Sequence, residues 1–493
     1  MIEASYHVAC TTYHVPRTHH STRRANVSET KGLHRVLTLR DVTLFYIVAV
    51  IGPRWIGNAA AAGPSSILLW GLACLGMFIP SAFTVLELST RYPEEGGIYV
   101  WTRETFGEFA GFMTGWLYWA SNLVYFPGLL YFAAGNILYV GGPSWLAHSA
   151  DPLFFIWFSL ACLAIALWVN VVGLEIGKHL SNIGAWATWL PIGLLVLAGI
   201  ISYVKFGSAT SFTMQTMLPH GGITTVAFWS TLAFGFGGLE SASMLGDEIH
   251  DTRRTIPRAI FVAGISIVAV YMLGTIAALV AIPANEMTSL QGIMQAIDRA
   301  VSRVGLGALS PVAAFLIALG SIGGVGAWMA AMSRLPFVAG VDKALPPAFA
   351  KLHPKWGTPV FALVVQALIA GGIAVLGQAG TTVRNAYDIL VNLGIISFFI
   401  PYALMYAAMI RSQWLPAGPE VKRVPGGRGV GVLLGALGLT TVLVSIVLSC
   451  LPPAGDPRPV LAVIKVVGSS LAMVAIGAGL YFVGRFRRPA SVE

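Results

Sequence analysis

Ile51-Gly52-Pro53-Arg54-Trp55-Ile56-Gly57 lies in the middle of the first long apolar segment of the chain. A membrane helix is poorly served by this string. Proline lacks an N–H and clashes with the preceding turn. Glycine weakens a helix interior. An arginine at mid-membrane depth costs roughly 2.5–3.5 kcal/mol on insertion scales. The stretch therefore reads as a helix break at a binding site, with Gly52 and Gly57 bracketing it and the outer half beginning near Gly57.

The surroundings place that break in a bilayer. The chain has 493 residues, of which 56% are hydrophobic and 10% charged. That is not a soluble composition. About 20 apolar residues span a membrane as a helix. On that ruler twelve segments emerge, near 41–62, 67–89, 110–140, 153–173, 181–204, 223–246, 257–282, 306–332, 359–377, 386–410, 429–451 and 460–484. A β-barrel would show short alternating segments instead. Lysine and arginine mark the cytoplasmic side. With the segments numbered in chain order, 23 fall on one side, including Arg91, Arg253, Arg254, Arg334 and Arg423, against 6 on the other, with Arg54 left inside. Both termini are thus expected in the cytoplasm, on a multi-pass protein of the inner or plasma membrane. The net charge of +9 reflects this topology and no nucleic-acid partner. Residues 1–40 lack a signal-peptide core and read as a disordered cytoplasmic tail, and Val27 offers an alternative start. Cys10, Cys74, Cys162 and Cys450 have no metal or disulfide spacing. No cofactor, metal site or catalytic constellation is expected.

The sixth segment carries a second break. Phe234-Gly235-Phe236-Gly237-Gly238-Leu239-Glu240 sets three glycines and a carboxylate at mid-span. Segments one and six are five apart and run in opposite directions. Interrupted helices at matching positions of two inverted halves point to the site of a secondary transporter. Broken backbone at membrane depth is tolerated only where it lines a cavity. A half-helix start offers N–H groups to an anion. The first half of segment six, ending near Phe234, offers carbonyls to an ammonium. Together the two poles suit a free amino acid. The expected organisation is residues 41–204 and 223–410 as two inverted five-helix repeats, 429–484 as two further helices, and 485–493 as a cytoplasmic tail.

Three motifs carry a family resemblance. The loop after segment two reads Tyr92-Pro93-Glu94-Glu95-Gly96-Gly97-Ile98-Tyr99. Gly238-Leu239-Glu240 is followed by the run from Arg253 to Pro257-Arg258-Ala259. Further on come Ser333-Arg334, Leu345-Pro346 and Gly357-Thr358-Pro359. Over residues 36–480 the chain resembles the amino acid–polyamine–organocation permeases, most closely the glutamate/γ-aminobutyrate antiporter and polyamine-uptake branches. The resemblance implies an all-α membrane fold of twelve helices. It implies a five-plus-five inverted repeat with discontinuous helices one and six, and alternating access. It places Phe234, Tyr118 and Trp328 at gating aromatics beside substrate, and Glu240 at a carboxylate tied to proton sensing. The family's usual Gly-small-Gly-Ile in segment one is replaced here by Gly52-Pro53-Arg54-Trp55-Ile56-Gly57.

The expected substrate site is therefore Gly52 to Gly57, Tyr118, Phe234 to Gly238 (Gly235, Phe236 and Gly237 between them) and Trp328, with Glu240 as the proton-linked group. Arg54 has three open roles: a bidentate contact to an anionic substrate, a fixed cation paired with Glu240, Asp388 or a freed carbonyl, or a side chain in a cytoplasmic vestibule. Segment eight offers sodium only Ser321 and Ser333. A fixed cation would repel sodium nearby. These features favour sodium-independent exchange or proton-coupled uptake of an amino acid or related organic ion. A polyamine permease and a non-transporting amino acid sensor are the alternatives.

Overall fold

The computed structural model describes residues 37–94, 96–172, 174–219, 222–341, 345–452 and 458–486. The expected tails before residue 37 and after 486 lie outside the described residues. Within them, eleven helices are long and apolar enough to cross a membrane. The first, Leu39–Ala61, is two pieces, α1 (Leu39–Val50) and α2 (Pro53–Ala61). Then come α3 (Ser65–Arg91, with a π turn at Cys74–Phe78), α4 (Ile98–Phe106, too short to span) and α5 (Glu108–Ile137). The first half closes with α6 (Pro152–Val172) and α7 (Leu174–Phe206).

The sixth expected segment, 223–246, departs from a spanning helix. It forms α8 (Ile223–Gly235) and resumes only as a 3-10 stretch, Ser241–Glu248. The glycines explain the stop: Gly238 has φ +117, a conformation that side chains with a Cβ resist. The second half continues with α9 (Thr252–Ala281), the short α10 (Gly292–Arg303), α11 (Ser310–Val341), α12 (Val360–Gln378) and α13 (Val383–Ser412). Last come α14 (Gly427–Ser449) and α15 (Pro459–Gly484).

Burial sorts these helices into an inner and an outer set. The apolar windows of Leu39–Ala61, Glu108–Val140 and Val383–Ser412 are 72%, 78% and 72% buried, whereas those of Pro152–Val172, Gly427–Ser449 and Pro459–Gly484 are 33%, 33% and 22%. The outer helices present residues such as Trp157, Trp168, Leu433 and Leu471 outward. Such continuous apolar surface suits lipid. The inner helix α5 packs against both α11 and α13.

One end of the bundle is tied polar group to polar group. Leu37 bridges Ile249, with the Leu37 N–H donating to the Glu248 carbonyl (2.9 Å) and the His250 N–H to the Leu37 carbonyl (3.0 Å). Arg334 Nε and Nη2 both reach Glu248 Oε1 (2.9 and 2.8 Å), with both side chains nearly buried. The Gly96-Gly97 turn docks on the same 3-10 stretch. A Cβ on Gly97 would fall 2.2 Å from Ser243 Oγ.

Candidate functional site

The first break falls at Ile51 and Gly52, whose backbones are extended (ψ 104 and 114). The second piece of helix begins at Pro53, not near Gly57. Proline at the first helical position has its φ pre-set, and its missing N–H is no loss there. Pro53 thus starts a helix instead of interrupting one. Gly57 lies inside α2, where a Cβ would sit 2.7 Å from the Ile293 nitrogen. It is a close-packing glycine against α10. Gly52 alone belongs to the break.

At the second break Gly235 faces Trp55, and Gly237 faces Phe398, where a Cβ would meet Cε1 at 2.6 Å. One side chain joins the two breaks. The Tyr271 hydroxyl, from α9, accepts from the Gly52 N–H (3.1 Å) and lies 2.6 Å from the Val50 carbonyl and 2.9 Å from the Gly235 carbonyl. Backbone groups freed by both breaks converge on one oxygen, which accepts from the Gly52 N–H and has one hydrogen for the two carbonyls. Its ring stacks on Trp70 at 4.5 Å, and Phe236 packs edge-on against both rings.

Between the breaks lies a small cavity, lined by Ala49, Val50, Trp55, Ser121, Asn122, Tyr125, Phe234, Gly237, Trp328, Gly394 and Phe398. Phe234 meets Trp55 edge-on at 5.4 Å and Phe398 at 5.3 Å. Trp328 donates from Nε1 to the Ala49 carbonyl (3.3 Å). Of the expected residues, Trp55, Phe234, Gly237 and Trp328 line this space. Gly52, Pro53, Gly235 and Gly238 shape the backbone around it, while Ile56 packs on Gly274 and Phe236 on Trp70. Tyr118 lies off the cavity. Sequence reasoning missed Ser121, Asn122, Tyr125, Gly394, Phe398 and Tyr271. A Ser-Asn pair inside an apolar segment was the available signal for the first two, since polar side chains at membrane depth mark functional surfaces.

The carbonyls expected to hold an amine already have partners. Phe234 O accepts from the Gly237 N–H (3.0 Å), and Gly235 O from Tyr271. The α8 terminus is therefore a less open amine pole than its sequence suggests. Ser321 and Ser333 hydroxyls turn back to Ile317 and Ala330 carbonyls on their own helix (2.8 Å each).

Glu240 is fully buried and accepts hydrogen bonds from the hydroxyls of Tyr118 on α5 and Tyr402 on α13. Tyr402 also accepts from the Gly238 N–H (2.8 Å). The neighbouring Ser241 and Ser243 bond backbone carbonyls (2.5 Å each) and leave the carboxylate to the tyrosines.

Arg54 is 2% exposed, which removes it from any open vestibule. Its guanidinium carbon lies 4.1 Å from the Trp55 ring centroid and 4.6 Å from that of Tyr125. Such sandwiching stabilises a cation. No ion pair reaches it among the described residues. Glu240 is held by tyrosines, and Asp388 accepts from Ser289 (3.0 Å).

The chain is 28% identical over 427 residues to an uncharacterized transporter of Legionella pneumophila, covering 86% of this chain and 91% of that protein. It is 24% identical over 452 residues to a probable agmatine/putrescine antiporter of Lactococcus lactis (89% and 93% covered). It is 24% identical over 413 residues to a glutamate/γ-aminobutyrate antiporter of the same organism (79% and 78% covered). A family model described as amino acid permease matches residues 37–479, from the start of the described chain into the last apolar helix. The chain therefore belongs to the amino acid permease family, as a multi-pass membrane transporter.

Proposed function

We propose that the chain is a secondary active transporter that carries an amino acid or related organic ion by alternating access around the cavity between its two helix breaks. One observation carries the reading. Aromatic side chains from both breaks, Trp55 and Phe234, meet on the wall of one cavity. Residues 41–204 and 223–410 act as the two inverted halves, with 429–484 appended. The broken segment at 223–246 counts as a crossing, which makes twelve with both termini cytoplasmic. Gly52, Arg54, Trp55, Phe234, Gly237 and Trp328 form the substrate site, and Glu240 is the proton-linked group. Transport is sodium-independent, as exchange or as proton-coupled uptake. The relative named for agmatine and putrescine favours an amine substrate. The buried cation at Arg54 opposes one by like-charge repulsion.

The test uses protein purified into liposomes loaded with unlabelled amino acids and amines. Uptake of the labelled solutes is followed with and without a proton gradient, in sodium and in potassium buffer. Saturable uptake, equal in the two buffers and stimulated by internal solute or by the gradient, is the expected result. Absence of flux for every solute would falsify the transporter reading.

A further inference from the structure

The linker between α13 and α14, residues 413–426, is pinned to the end of α3 by polar contacts. Glu87, fully buried, accepts from Gln413 Nε2 (2.9 Å) and from the Val424 N–H (3.2 Å), and pairs with Arg91 one turn on (3.5 Å). Arg91 in turn donates to the Pro416 carbonyl (2.8 Å), and the Lys422 N–H donates to Thr90 Oγ1 (3.0 Å). A backbone held in this way presents its outward side chains from fixed places.

What the linker and its flanks present is cationic. Arg411, Lys422, Arg423 and Arg428 are all exposed, and among the described residues none of the four meets a carboxylate. The acids of α3, α4 and the linker are engaged with other cations: Glu87 with Arg91, Glu104 with Arg103, and Glu420 with Arg253. Two of the four lie over aromatic rings instead. The Arg428 guanidinium carbon is 4.2 Å from the Trp414 ring centroid, and that of Arg411 is 5.9 Å from the Phe106 ring. Arg423 donates to the Leu415 carbonyl (3.1 Å), which brings a third cation beside Trp414. Both rings are themselves exposed, Trp414 at 55% and Phe106 at 40%. Tryptophan and basic residues gather where a bilayer meets water. The outward apolar surface of α14 begins within two turns of Arg428, at Val430 and Leu433.

A fixed cation cluster, rimmed by exposed rings and continuous with lipid-facing surface, fits an anion that is tethered in the membrane. Guanidinium forks match phosphate oxygens bidentately. A free phosphate would use the cations and gain nothing from the rings or the apolar flank. We propose that Arg411, Arg423 and Arg428, with Trp414, form a site for the phosphate of an anionic phospholipid, in the leaflet on the side rich in lysine and arginine. The site is separate from the cavity between the helix breaks and does not depend on which solute is carried.

The test titrates the purified full-length protein in detergent with phosphatidylglycerol and with phosphatidylcholine of the same chains, and counts bound lipid by native mass spectrometry. Phosphatidylglycerol is expected to bind more tightly by about tenfold or more. One cation near an anionic surface is worth about fivefold in affinity, so Arg411→Gln combined with Arg428→Gln lowers phosphatidylglycerol affinity by about twenty-fold and leaves phosphatidylcholine unchanged. Lys351→Gln, which removes an exposed cation from the loop after α11, changes neither. If the double variant does not elute as a folded monodisperse species, Arg428→Gln alone carries the test, with a loss of about fivefold. Glycerol 3-phosphate and a soluble hexaglutamate peptide serve as competitors, and neither displaces the lipid. Equal binding of the two lipids overturns the proposal, as does an equal loss in Lys351→Gln, which would reduce the effect to diffuse surface charge. Displacement by glycerol 3-phosphate would make the patch a site for free phosphate, and displacement by the peptide would assign it to an acidic protein partner. Either result overturns the lipid site.

Discussion

Tyr402 serves two groups through one oxygen, donating to Glu240 and accepting from the Gly238 N–H. Tyr402→Phe leaves a buried carboxylate with one donor fewer and a buried amide with none. Each unsatisfied group costs about 1–3 kcal/mol. Tyr118→Phe removes one bond only. The expected order of heat stability in detergent is wild type, then Tyr118→Phe, then Tyr402→Phe, and equal stability of all three would contradict the geometry. Glu240 was legible in the sequence, because a carboxylate at mid-span demands partners. Its partners were not. They come from positions far along the chain, while the adjacent Ser241 and Ser243 bond backbone carbonyls. Arg54 was legible as an anomaly. Of its three open roles, burial excludes the open vestibule, and Glu240 and Asp388 have other partners.

Among the elements, α2 shows why a break is easier to detect than to place. The same proline that ends a helix also starts one. Its position relative to the extended Ile51–Gly52 pair decides which, and that pairing is set by packing against α9 and α8. Gly57 then serves α10 instead of the break. Gly57→Ala is expected to lower stability by about 1–3 kcal/mol through overpacking against backbone, without altering which solutes compete for uptake. A changed substrate preference would return Gly57 to the site. Tyr271→Phe acts differently. It removes the acceptor of the Gly52 amide and the one hydrogen shared by the Val50 and Gly235 carbonyls. Lowered heat stability and slowed uptake are expected together, and wild-type values of both would show that the hydroxyl is dispensable.

At the scale of the whole molecule, the helical membrane class followed from hydropathy alone. Eleven of the twelve expected segments stand as long apolar helices, and the exception is the one with three glycines. The end bearing Leu37, Arg334 and Glu248 is closed by hydrogen bonds and a nearly buried ion pair. Removing one partner of such a pair strands the other charge, at about 3–5 kcal/mol. Arg334→Gln is therefore expected to loosen that end. In a variant carrying Ser121→Cys, labelling by a membrane-impermeant thiol reagent applied from that side should rise, and Arg334→Glu with Glu248→Arg should partly reverse it. Unchanged labelling would mean that the pair does not hold the end shut. The Tyr271 hydroxyl has a further consequence for the two breaks. It owns a single hydrogen, and two carbonyls from different segments lie within its reach. At any instant one of them goes without, so the hydroxyl would keep an acceptor if either segment shifted away from it.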